Sequence, residues 1–138
     1  MRINRLIGCV LLGLSGAIAG AAETPSPARA QLEGFLAAFN SGDRAMLTAF
    51  GKDHAPPDFL RPAIIDQTLE MYRASGGYEV LEVNETEPLA ANSWLRARST
   101  REIVLLTVVV HADEPGRISA ITFQSDDPPE RLRTPKVR

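Results

Sequence analysis

The sequence predicts an α+β domain in which N-terminal helices pack on a curved, mainly antiparallel four-stranded sheet, a cone-like arrangement. Three observations predict it. Between residues 28 and 75 the apolar residues recur at the three-to-four spacing of helices, and from Tyr78 onward they follow the period of strands. The polar connections after Tyr78 are short, which suits strands that pair antiparallel with their neighbours in the chain.

The first segment is an address. Met1-Arg2-Ile3-Asn4-Arg5 sets two positive charges ahead of an apolar or small run over 6–19, and Ala19-Gly20-Ala21 puts small residues at −3 and −1 of a cleavage point before Ala22. These are the parts of a secretory signal peptide, assigned to residues 1–21. The run falls short of the ~20 apolar residues of a membrane span. The mature chain is therefore expected in an extracytoplasmic compartment, periplasmic or secreted, with no membrane attachment after cleavage. Leu6-Ile7-Gly8-Cys9 has the look of a lipidation motif, but most of the apolar run follows Cys9 instead of preceding it. Cys9 is the sole cysteine, so the mature chain has no disulfide and relies on its core.

Residues 22–29 are a proline-interrupted, flexible lead to a domain over 30–125. The first helix covers 28–40, with Leu32, Phe35, Leu36 and Phe39 at i, i+3, i+4 and i+7 on one face. Asn40-Ser41-Gly42 stops it, and Asp43 caps a second helix, 44 to about 51, whose Met46, Leu47 and Phe50 are expected inside. Residues 52–58 read as a loop. A third helix, 63–75, carries Ile65, Leu69 and Tyr72 on one stripe and ends at Gly76-Gly77. Strands follow over 78–86, 93–99, 101–112 and 117–125; the third, with Ile103 through Val110 apolar on both faces, is expected to be central. Residues 126–138 are polar and proline-broken, and are expected to form a disordered tail.

Loss of the signal moves the net charge from −2 to −4, against the clustered positive charge that nucleic-acid binding needs. No phosphate loop, metal-ligand spacing or nucleophile motif is present. No cofactor and no metal is expected.

Phe35-Leu36-Ala37-Ala38-Phe39-Asn40-Ser41-Gly42-Asp43 resembles the first helix and corner of the nuclear transport factor 2-like (cystatin-like cone) superfamily. Together with Met71-Tyr72-Arg73-Ala74-Ser75-Gly76-Gly77-Tyr78 and Arg117-Ile118-Ser119-Ala120-Ile121, it is similar to a small domain that precedes exported bacterial serine hydrolases. The resemblance covers about residues 30–125. It implies a sheet wrapped around the long helix, often with a pocket at its mouth; it does not by itself imply catalysis, because the same fold serves enzymes, binding modules and dimerisation platforms.

His54, beside Asp53 and Asp58, has the chemistry of an acid/base pair at a pocket rim, or is a polar loop residue ahead of two prolines. His111, near Asp113 and Glu114, lacks a second ligand at fixed spacing. Glu79, Glu82, Glu85 and Glu87 on one strand face Arg96, Arg98 and Arg101 on the next, which reads as cross-strand pairing, for instance Glu82 opposite Arg98. Trp94, the sole tryptophan, either lines a ligand pocket with Tyr72 and Phe39 or closes the core. The pocket candidates are thus Phe39, Tyr72, Trp94 and His54. The functional expectation is an exported, non-catalytic binding or accessory module for a protein partner or small apolar ligand, monomeric or weakly dimeric, which assists a hydrolase. The alternatives are a small cone-fold isomerase or hydrolase, and a structural dimerisation domain.

Overall fold

A computed structural model describes residues 24–133. The signal peptide and its cleavage point lie outside the described residues. Helix α1 (Pro27–Ser41) begins earlier than the proline-rich lead suggests, because Pro27 takes the first helical position, where its missing N–H costs nothing. Ser26 caps it, its hydroxyl accepting from the Arg29 N–H at 3.2 Å. At the far end Gly42 adopts φ 63°, and its N–H reaches the Phe39 carbonyl at 3.1 Å. A side chain there would be strained and would meet the Tyr72 ring.

Asp43 caps α2 (Arg44–His54) by accepting from the Ala45 and Met46 N–H groups at 2.7 and 3.4 Å. The helix runs three residues past the stop expected at Gly51. Gly51 is buried against Phe59 and Leu60, each 2.8 Å from where a Cβ would sit. Capping at Asp43 sets the phase so that Leu47 and Gly51 face inward. Met46, expected inside, is 54% exposed. A 3-10 turn, Pro57–Leu60, leads to α3 (Pro62–Ser75), which buries Ile65 and Leu69 against Leu47 and Ala38.

The chain then becomes an open antiparallel meander: β1 (Tyr78–Glu87), β2 (Ala90–Ala97), β3 (Ile103–Val110) and β4 (Ile118–Gln124), in that spatial order. This is the α+β architecture the sequence predicts, with helices on one face of a curved, unclosed sheet and β3 flanked on both sides. Period-two burial is regular on the two inner strands. Ala91, Ser93, Leu95 and Ala97 on β2, with Val104, Leu106, Val108 and Val110 on β3, face the helices. Ser93 is buried without penalty because its hydroxyl donates to the Glu82 carbonyl at 2.8 Å. Trp94, Arg96, Ile103, Leu105 and Val109 alternate with them on the outer face and are half-buried.

Two readings change. A bulge between Val80 and Glu82 shifts the β1–β2 register, so Glu82 lies opposite Trp94, and it is Glu79 that lies opposite Arg96. Arg98 falls beyond β2, so the Glu82–Arg98 pair does not form. The start of the expected tail is also ordered. After β4 the chain crosses to β1, makes a 3-10 turn at Glu130–Leu132, and docks through Arg131 on Glu82.

Candidate functional site

The place to look for a site in such a fold is the space between α1 and the concave face of the sheet. Here that space is filled with aromatic rings. Phe35, 1% exposed, meets Phe39, Phe50, Phe59 and Phe123 with ring centroids 6.0–6.3 Å apart. Phe39 is fully buried; Tyr78 stacks on it at 5.4 Å, and Tyr72 meets it edge-on at 6.0 Å. Phe123 stacks in turn on Tyr78 at 5.8 Å. The edge-on pairs, Phe35–Phe59 and Phe39–Tyr72, put ring edges against ring faces, an arrangement aromatic quadrupoles prefer. Burial pushes the Tyr78 phenol above its usual pKa, and the charge of Glu102 raises it further.

The four candidates separate. Phe39 and Tyr72 are brought together, as a wall of this cluster. His54 touches the cluster only through Phe50, whose ring lies 5.1 Å from its own. Its Nδ1 is 3.1 Å from the Gly116 carbonyl oxygen; a carbonyl only accepts, so Nδ1 carries the proton and donates. The neighbouring Arg117 guanidinium donates to the Asp53 carbonyl at 3.3 Å. Together these bonds pin the C-terminal end of α2 to the β3–β4 turn, with Arg117 placed where the helix dipole favours a cation. His54 thus belongs to a helix end and not to the loop assigned from sequence. Asp58, its expected partner, is paired instead with Arg61 at 3.8 Å.

Trp94 is a correction. It stands on the outer face of the sheet, away from Phe39 and Tyr72, because the buried row of β2 consists of Ala91, Ser93, Leu95 and Ala97. Around it lies a polar network in which the cross-strand pairing expected from sequence forms at Glu79, and to which Arg131 adds a contact that sequence reasoning missed. Arg131 grips Glu82 with two bonds, Nε to Oε2 at 3.1 Å and Nη2 to Oε1 at 2.7 Å. Those bonds hold the Glu82 carboxyl below its usual pKa and raise that of Arg131. Arg96 donates to Glu79 at 3.3 Å and to the Leu132 carbonyl at 3.4 Å, while Arg101 donates to the same Glu79 oxygen at 3.4 Å. The Nε of Arg96 is buried with no hydrogen-bond partner.

The surface has open depressions. One, of about 330 Å³, lies between the Pro57–Leu60 turn and β4, floored by Phe59, Ile64 and Ile121. Neither this one nor a broader hollow along α2 is lined by any of the four candidates. Among the described residues, no group of three or more His, Cys, Asp or Glu side chains is placed to hold a metal ion, and no helix is long and apolar enough to cross a membrane. Compared with family models, curated proteins and solved structures, the chain matches none of them.

Proposed function

We propose that this chain is an exported accessory module that acts by binding at its surface, in the manner of the nuclear transport factor 2-like domains its helix-to-sheet corner resembles. One observation carries the reading: Phe35, Phe39, Phe50, Phe59, Tyr72, Tyr78 and Phe123 occupy the interior volume where a cone-like domain keeps a ligand. A catalytic acid or base gains its working pKa from a desolvated cavity shared with substrate. His54 lies outside that volume, at the rim, with Nδ1 on the Gly116 carbonyl and its ring against Phe50. What remains for recognition is the outside: the outer sheet face with its ion-pair network, and the depression beside β4.

The test pairs two measurements on the mature protein. Chemical cross-linking in its own extracytoplasmic fraction is expected to capture a serine hydrolase whose activity changes when the module is added back. Turnover of ester, amide or isomerisable probes that co-purifies with the protein and disappears in His54→Ala would overturn the reading. Intact mass of the extracytoplasmic species tests the cleavage that yields the soluble mature module, expected to start at Ala22; a chain that keeps Met1 or carries lipid on Cys9 would exclude that cleavage.

A further inference from the structure

We infer that the outer face of the sheet is a peptide-docking surface, that residues 126–133 occupy it in cis, and that its partner in trans is an extended, proline-containing peptide presenting an arginine followed by an apolar residue. This rests on the binding reading above and names the partner's chemistry.

The path of the chain is the first support. β4 ends at Gln124, opposite Leu105 on β3, and Arg131 sits on Glu82 of β1. Crossing from β4 to β1 spans three inter-strand gaps, about 14 Å in all. Seven residues reach ~23 Å when extended, enough to cross the sheet with slack for the turn at Glu130–Leu132. The crossing runs over the outer face, since Arg96 and Glu82 alternate with residues that face the helices. It passes the end of the sheet that carries Trp94, Ile103 and Leu105. Pro128, Pro129 and Leu132 are half-buried, although they lie outside the sheet and the long helices.

The contacts are those of a bound peptide. The backbone is stiffened by Pro128-Pro129, which lose little conformational freedom on docking and bring no N–H that needs a partner. Arg131 forms a two-pronged bond to a carboxylate, a geometry that lysine cannot reproduce. Arg96 reads the backbone by donating to the Leu132 carbonyl. The surface is also incompletely satisfied: the buried Nε of Arg96 finds no acceptor in residues 126–133. A trans peptide that places a carbonyl or carboxylate there would make one bond more than the cis segment, a gain that counts against the effective concentration of the tethered competitor.

Trp94, the sole tryptophan, lies directly across from Glu82 and reports occupancy of the surface by its emission. The probes are a synthetic peptide of residues 125–138 and the same peptide with Arg131→Ala. Each is titrated into the mature chain as wild type, Arg131→Ala and Arg131→Gln. Both protein variants, their own segment loosened, are expected to bind the native peptide at least tenfold more tightly than wild type does, and to bind the substituted peptide at least tenfold more weakly than the native one. Equal affinity of all three proteins for the native peptide, or equal affinity for the two peptides, overturns the proposal. Should circular dichroism show either variant unfolded, discrimination between the two peptides by the wild-type chain decides in the same way. Failure here leaves the binding reading intact, with its surface elsewhere; turnover lost in His54→Ala removes that reading without altering the titration.

Discussion

Phe39→Ala tests whether the aromatic cluster is a solid core. The side chain is fully buried and lies within 6.1 Å, ring to ring, of Phe35, Tyr72, Tyr78 and Phe123. Truncating a buried phenylalanine costs about 3–5 kcal/mol, the transfer term of the lost ring plus the cavity it leaves. Relaxation should be limited here, because α1, β1 and β4 each hold a neighbouring ring in place and would have to move together. A domain of ~110 ordered residues has a total stability of about 5–15 kcal/mol, so the loss is a large share of it. At about 4 °C per kcal/mol, the melting midpoint should fall by ~12–20 °C. Urea melts followed by far-ultraviolet circular dichroism measure the same quantity at 25 °C, with Met46→Ala on the exposed side of α2 as the control. The vacated space is apolar, so it should stay dry and admit benzene, and saturating benzene should restore part of the lost stability. A loss under 1 kcal/mol with no response to benzene would mean that the rings collapse freely, and the account of a packed interior would be wrong.

Two further outcomes are expected. Leu106→Asp puts a charge at a fully buried site between Ser93 and Phe123, and should cost several kcal/mol in a denaturant melt, while Glu114→Gln on the exposed turn should cost almost nothing; equal midpoints would remove β3 from the centre of the sheet. Arg131 holds the Glu82 carboxyl below its ordinary value of 4.5, so the docking contribution of that pair is complete above the usual carboxylate range and is lost as pH falls through the lowered value. Trp94 emission should accordingly change only below about pH 4.5, and the change should vanish in Glu82→Gln but persist in Glu85→Gln, whose carboxyl is lowered by Ser26 instead. A transition centred above pH 5 would contradict the assignment.

What sequence revealed was whatever repeats locally. The spacing of Leu32, Phe35, Leu36 and Phe39 is a helical face wherever it occurs, and the β-branched run from Ile103 to Val110 reads as an inner strand. The start of β2 at Ala90 was hidden because Ala90, Ala91 and Asn92 carry no strand preference of their own; pairing with Val109, Val108 and Thr107 imposes it. The bulge after Val80 leaves no mark in composition, yet it decides which face Glu82 takes and which arginine meets it. The face of Trp94 is hard to read for a related reason: alternation in β2 tells which residues share a face, but the rival face of Ala91, Ser93, Leu95 and Ala97 carries a single large apolar side chain to mark it as the buried one. Docking of Arg131 joins positions 49 residues apart and could only be seen in three dimensions.

The meander has a consequence for how the molecule comes into being. Because spatial order equals chain order, each strand pairs only with the one made just before or just after it, and the sheet can close as a series of short hairpins. The aromatic stripe of α1 meets Phe50 and Phe59 soon after it in the chain, but the rest of its cover is distant. It gains part of its cover from β2 and β3, and the last ring, Phe123, arrives ten residues before the end of the described chain. A ribosome adding residues from the N-terminus therefore leaves Phe35 and Phe39 partly uncovered until β4 has been made. Hairpins can thus form early, while the packed aromatic interior is completed only when Phe123 joins it.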